Sequence, residues 1–199
     1  MAMLARPPRL LQIHREAVNP GAEAAYDAIE TNTARLCAAL GCPHPYLALT
    51  TVSGSPEVWF LNGFDSPAEQ QQVVEAYAKN APLMAALHRN SAAKRTLIAP
   101  PTVVTATHLP DLTRGVPWTL GAGRVLVITV TTSTRHVDGT VFETADGTRV
   151  IVVAADTRRD AHAAAALAGA ESNVLLVRPA WSFPAQEWIA ADPAFWPSP

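Results

Sequence analysis

No run of uncharged apolar residues in this chain approaches the roughly 18 that a membrane span requires. The longest stretches, Val125–Thr134 and Ala161–Ala170, are short and either strand-like or alanine-rich, so a membrane partner is not expected. No sign of charge dominates either. Of 15 Lys+Arg and 17 Asp+Glu, residues 1–100 hold eight of each, leaving seven and nine to the rest, with a net charge of −2. Neither half is a basic module, and nucleic acid is excluded as an expected partner. Glycine-rich phosphate loops, G-x-S-x-G, C-x-x-C, C-x-x-C-H and H-E-x-x-H are all missing. Nucleotide hydrolysis, serine-elbow hydrolysis, c-type haem attachment and zincin chemistry are therefore disfavoured. Cysteine is scarce: Cys37 and Cys42 stand alone, with His44 two residues on. Zinc wants four ligands and no second pair exists, so both read as unlinked structural thiols and no metal is expected. Met1–Pro8 carries Arg6 but no signal-type apolar stretch follows, because Leu10–Ile13 is cut by Gln12 and ends at His14-Arg15-Glu16. A cytoplasmic location is the expectation.

What is present is a globular composition. The 199 residues are 49% apolar and 16% charged, enough for one large or two small packed units. Leu10–Val18 reads as a strand. Asn19-Pro20-Gly21 stops it and opens a helix to about Leu40, with Tyr26, Ile29, Thr33, Leu36 and Leu40 at three- and four-residue steps and Gly41 and Pro43 ending it. Strands Tyr46–Val52 and Glu57–Gly63 flank the turn Ser53-Gly54-Ser55-Pro56. Ser66-Pro67-Ala68-Glu69 is a reciprocal helix cap, and Pro82 requires a kink or restart near Asn80 before the helix runs on to about Arg95. With the strand Thr102–His108 the order is β-α-β-β-α-β, the ferredoxin-like order.

After the connector 109–123 the theme returns without its first helix. Strands Arg124–Thr132, Thr140–Thr144 and Thr148–Ala154 precede a helix to Gly169, a strand Asn173–Arg178 and a short helix Ala185–Ala191. The expected division is a tail at 1–9, a ferredoxin-like half at 10–108, the connector, and a degenerate half with a C-terminal helix and tail at 124–199. Such a sheet carries its helices on one face, so its other face must be covered. Alternation separates Leu11 and Ile13 from Gln12 and His14, and Leu47 and Leu49 from Tyr46, Ala48 and Thr50, whereas Val125–Val130 is apolar on both parities. The expected fold class is α+β: two tandem ferredoxin-like halves, their antiparallel sheets packed face to face as an α+β barrel.

That strand order resembles the dimeric α+β barrel superfamily, which includes antibiotic-biosynthesis-type monooxygenases and NIPSNAP-like proteins. The phrases Leu11-Gln12-Ile13-His14-Arg15-Glu16, Glu57-Val58-Trp59-Phe60-Leu61-Asn62-Gly63-Phe64 and Ala191-Asp192-Pro193-Ala194-Phe195-Trp196 resemble those of uncharacterised bacterial proteins. The resemblance implies a cavity between facing sheets, used in known members for cofactor-free oxidation of aromatic substrates or for haem.

Candidate site residues are the polar side chains expected opposite the helices: Gln12, His14, Tyr46, Thr50, Asn62, His108, Glu143 and Arg178. His14 leads as a general base, since imidazole titrates near neutrality, with a hydrogen-bonded core histidine as the alternative. Tyr46 and Asn62 are read as donors to a substrate oxygen, or else as a hairpin-anchoring pair. Gln12, Thr50, His108, Glu143, Arg178 and Trp181 are candidate substrate contacts. His108 precedes Pro110, which reads as its leaving the sheet for a surface or loop role, with a substrate contact as the alternative. Arg178 reads as an ion pair with Glu143 or as a carboxylate binder. Of the tryptophans, Trp188 and Trp196 read as staples for the C-terminal segment, and Trp118 and Trp181 as a possible roof. His88, His136 and His162 read as solvated. The expected function is a small-molecule enzyme, a cofactor-independent oxygenase or isomerase for a small aromatic or polyketide-like substrate with His14 as base. Two alternatives stand beside it: a non-catalytic small-molecule binder or structural oligomeric protein, and a haem protein with His14, His88 or His108 as axial ligand. Exposed strand edges in each half point to a homodimer.

Overall fold

The structure, a computed structural model, describes residues 6–115, 118, 123–133, 138–168 and 172–196. Parts of the expected N-terminal tail, connector and C-terminal tail, and His136, lie outside the described residues. The elements run β1 (Leu10–Ala17), α1 (Glu23–Leu40), β2 (Leu47–Thr51), β3 (Glu57–Phe64), α2 (Pro67–Lys79), α3 (Ala81–Lys94), β4 (Thr102–His108), β5 (Val125–Thr131), β6 (Thr140–Thr144), β7 (Arg149–Ala155), α4 (Arg158–Ala168), β8 (Ser172–Val177) and α5 (Gln186–Ala191). Tyr46 falls just outside β2 because it makes an isolated bridge with Phe183.

Local chemistry sets the breaks. Ser66 accepts the Glu69 N–H at 3.1 Å to open α2, with Pro67 at the first helical position. Asn80 divides α2 from α3: its Oδ1 accepts the Leu83 N–H at 3.2 Å, and its Nδ2 donates to Leu40 O at 2.7 Å, tying the restart to the end of α1.

All eight strands form one closed barrel in the order β1-β3-β2-β8-β5-β7-β6-β4. Within it, β4-β1-β3-β2 and β8-β5-β7-β6 are two ferredoxin-like sheets, the second with no helix among the described residues between its first two strands. Antiparallel seams join them, β2 to β8 through Leu49↔Val177 and Thr51↔Leu175, and β4 to β6 through Ala106↔Thr144 and His108↔Phe142. The edges expected to recruit a second copy are thus paired within the chain, although β6 reaches only Ala106–His108 of β4.

The apolar parity of every strand turns into the barrel: Leu11, Ile13, Leu47, Leu49, Trp59, Leu61, Leu126, Ile128, Phe142, Val150, Val152, Leu175 and Val177 form one cluster and are essentially inaccessible. Each such side chain contributes about 1.5–3 kcal/mol on burial. Trp118, Trp188 and Trp196 belong to the same cluster. Arg124 pairs with Asp192 and stacks 3.5 Å from the Phe195 ring centroid, which holds the segment after α5 in place. Outside, α1 and α3 cover the first sheet and α4 covers the second, with Val125, Val127 and Val174 against Ala161. β5 is buried on both faces, as its double apolar parity required.

One expectation is corrected. The polar parity of β1, β2 and β3 does not look into the space between the sheets but lies under the helices, whereas His108 of β4 shares the inward parity of Ala106. The inward parity carries the apolar side chains, with one charged pair near the strand ends, Arg15 and Glu57 at 2.8 Å beside Trp59, whereas the helices bring Lys94 and Tyr26 to the polar groups beneath them. Expressed alone, residues 1–108 would bare Leu11, Ile13, Leu47, Leu49, Trp59 and Leu61 together. The fragment should aggregate or form an obligate dimer in size-exclusion chromatography with light scattering, and a folded monomer would contradict that.

Candidate active site

Period-two alternation in β1 sends His14 and Glu16 to the helix side, where α1 supplies Tyr26 and Glu30 and the last turn of α3 supplies Lys94. Glu16 is the hub. Its Oε1 lies 3.0 Å from His14 Nε2 and 2.9 Å from Lys94 Nζ, while its Oε2 accepts from Tyr26 Oη at 2.5 Å and from Lys94 at 3.0 Å. Lys94 also reaches Glu30 Oε1 at 2.7 Å, and its ammonium lies 5.5 Å from the Tyr26 ring centroid and 5.6 Å from that of Phe60. Glu16 and Glu30 are 3% and 1% exposed, a burial that carboxylates tolerate only when paired.

The charges divide unequally. Burial raises the Glu16 pKa, but the hydrogen bond from His14, the Lys94 charge and the Tyr26 hydroxyl outweigh it and hold the carboxyl down to about 2. Burial raises Glu30, against the pull of Lys94. Burial would lower Lys94, yet the two carboxylates keep it above its ordinary value. Burial and the neighbouring carboxylates push Tyr26 up, so its phenol stays a donor.

An ionised Glu16 offers only acceptor oxygens, so His14 Nε2 must carry its proton, and in neutral His14 the other nitrogen, Nδ1, is the acceptor. His14, edge-on to Phe60 at 5.9 Å, is one-third exposed and lines a cleft of about 430 Å³ with Glu16, Ser91, Lys94, Arg95, Ile98, Ala99, Pro100 and Pro101. A carboxylate-tethered imidazole beside cationic side chains can take a proton and bind the anion it leaves.

The other residues singled out by sequence are dispersed. Thr50, Arg178 and Trp181 meet at a different cleft, of about 410 Å³, with Tyr26 and Asp27. Arg178 does not pair with Glu143: its Nη2 donates to Asp27 Oδ1 at 3.0 Å and its guanidinium stacks 4.4 Å from Trp181. Glu143 instead faces Arg149 at 3.7 Å across the β6–β7 hairpin, because chain reversal at Asp146-Gly147 puts them opposite each other. Tyr46 is buried among Cys37, Cys42 and Leu83, and its main chain exchanges both hydrogen bonds with Phe183. Gln12 and Asn62 face each other in the β1–β3 register on the helix parity, half-buried, and line none of these clefts. His108 lies at the end of β4, 3.0 Å from Thr113 Oγ1 and against Phe142, and burial lowers its pKa. The Nε2 atoms of His14 and His108 are engaged by protein partners, and His88 is exposed on α3.

Glu16, Tyr26, Glu30 and Lys94 escaped the sequence reading. The spacing of two between His14 and Glu16, and of four between Tyr26 and Glu30, was a usable signal. Lys94, 78 residues from Glu16, had none.

No protein-family model matches the chain, and no curated protein matches it. Among solved structures, a protein of Fusobacterium nucleatum provisionally described as a monooxygenase superposes with a TM-score of 0.52 at 9% identity, over 86% of this chain and 93% of that one. One from Lactobacillus acidophilus with the same description superposes with a TM-score of 0.44 at 7% identity, over 84% of this chain and 93% of that one. The first likeness is one of fold.

Because the Glu16 carboxyl titrates at about 2 when folded against an ordinary 4.5, its contribution is present above about pH 4.5 and is lost as pH falls towards 2. Glu16→Gln should therefore cost on the order of 3 kcal/mol at neutral pH, a deficit that shrinks below pH 4.5 in urea unfolding.

Proposed function

We propose that this chain is a monooxygenase-like small-molecule enzyme in which His14 Nδ1 takes a proton from a weakly acidic hydroxyl of a small aromatic or polyketide-like substrate. The observation that carries this reading is the 3.0 Å tether of His14 to an ionised Glu16 at the wall of the 430 Å³ cleft. Glu16 sets the tautomer and stabilises the imidazolium, as a buried carboxylate does for a catalytic histidine. Lys94 is committed to Glu16 and Glu30, so it supplies local positive potential, while Arg95 and Ser91 on the cleft wall are the groups free to hold the substrate oxyanion. The resulting electron-rich anion either reacts with dioxygen, in an oxygenase, or is reprotonated at another carbon, in an isomerase. Neither outcome requires the protein to supply more than binding, orientation and a base. The barrel fold shared with the Fusobacterium protein described as a monooxygenase supports the oxygenase form.

A second reading, a non-catalytic binder or a structural oligomer, is favoured by one observation: the space between the sheets is packed with side chains. A homodimer belongs to either reading.

With a panel of phenols and hydroxyquinones, wild-type protein should consume oxygen or convert substrate. His14→Ala should lower turnover by roughly 10²–10⁴-fold with the circular dichroism unchanged. Unchanged turnover in His14→Ala removes the histidine from the mechanism, and ligand binding without turnover in the wild type favours the second reading. A Soret band on adding haem would sink both in favour of a haem protein.

A further inference from the structure

At the C-terminal end of α1 a second chemical group stands apart from this site. The helix ends at Leu40, and Gly41, at φ 71°, takes the left-handed conformation that reverses the chain. The N–H groups of Gly41 and Cys42 both turn back to Cys37 O, the latter at 2.8 Å. This cap brings the third residue before the helix end beside the second residue after it, positions that usually share an apolar contact. Here both are cysteines, both free thiols, buried in one cluster with Tyr46 and Leu83.

The two differ in surroundings. Cys42 Sγ lies 2.8 Å from the Tyr77 hydroxyl and lines a cleft of about 280 Å³ with His44, Gly63, Glu69 and Phe183. Cys37 lies behind it, 2% exposed, with the Tyr46 hydroxyl 3.9 Å from its sulfur. Donation from Cys37 and from Tyr77 draws the Cys42 thiol below its ordinary value against the effect of burial. The same Cys42 contact, with burial, pushes Cys37 up. A cysteine on a cleft wall, held by the Tyr77 hydroxyl, with a second thiol buried at its back is the arrangement of an attacking and a resolving cysteine.

We propose that Cys42 is a modification site for small uncharged hydroperoxides and that Cys37 resolves it, the pair closing an intrachain disulfide across the end of α1. The Cys42 thiolate attacks the peroxide: an S–O bond forms, the O–O bond breaks, and the departing oxygen leaves as alcohol or water with the proton the thiol released. The Cys37 sulfur then attacks Cys42, the S–S bond forms, the S–O bond breaks, and hydroxide leaves as water with the Cys37 proton. The protein loses two electrons to the peroxide, and an external dithiol returns them. Glu69 on the cleft wall disfavours anionic oxidants.

The full chain treated with hydrogen peroxide should lose the mass of two hydrogen atoms, with peptide mapping placing the link between Cys37 and Cys42 and dithiothreitol reversing it. Cys37→Ser should instead accumulate a dimedone-reactive sulfenic acid on Cys42. Cys42→Ser should lower dimedone labelling about tenfold or more, since the remaining thiol is buried and protonated. Wild-type protein that keeps two alkylatable thiols after peroxide overturns the proposal without any variant, as does equal labelling of the two variants.

Discussion

Everything in this fold depends on two sheets burying each other. Neither ferredoxin-like half covers its own inner face, and the strand seams β2–β8 and β4–β6 convert two open sheets into a closed barrel with no complete free edge. The contact demands apolar side chains from all eight strands at once, and it settles which face of each strand is which. Once Leu11 and Ile13 are committed to that interior, His14 and Glu16 can only emerge beneath the helices.

The site follows from this constraint. A carboxylate forced beneath α1 and α3 must be neutralised there, and Lys94, Tyr26 and His14 converge on Glu16 for that reason. Glu30 adds a second carboxylate around the same ammonium. The cluster is well paired, so it contributes to holding α1, α3 and β1 together. His14, its most exposed member, opens on the cleft and so joins the structural network to any chemistry there. The two thiols at the end of α1 are set by a different local rule, helix capping, and Cys42 lines a separate cleft with Cys37 behind it.

The strands and helices were largely legible in the chain. Thr102–His108 and Thr140–Thr144 were read at their observed bounds, and the restart at Asn80 follows from Pro82 and the capping side chain. The candidate site was legible only in its first member. His14 could be named, but it was expected on the wrong face, because alternation distinguishes two faces without saying which one the helices occupy. Arg178 was expected to find Glu143, yet it meets Asp27 on α1, since an ion pair depends on packing between elements 151 residues apart. Lys94 carries no local mark that separates it from a solvated lysine at a helix end.

By itself, then, the sequence determined periodicity, capping and turns, which act over a few residues and need no partner. Those suffice for element order, for the ferredoxin-like repeat and for the necessity of a shared core. Only the tertiary structure decided orientation and assembly: the apolar parity inward, the polar parity under the helices, and four titratable groups from β1, α1 and α3 gathered about the Glu16 carboxylate. The physical reason is that the cost of an unpaired buried charge is removed by groups distant in the chain, and their meeting is a property of the closed barrel rather than of any segment.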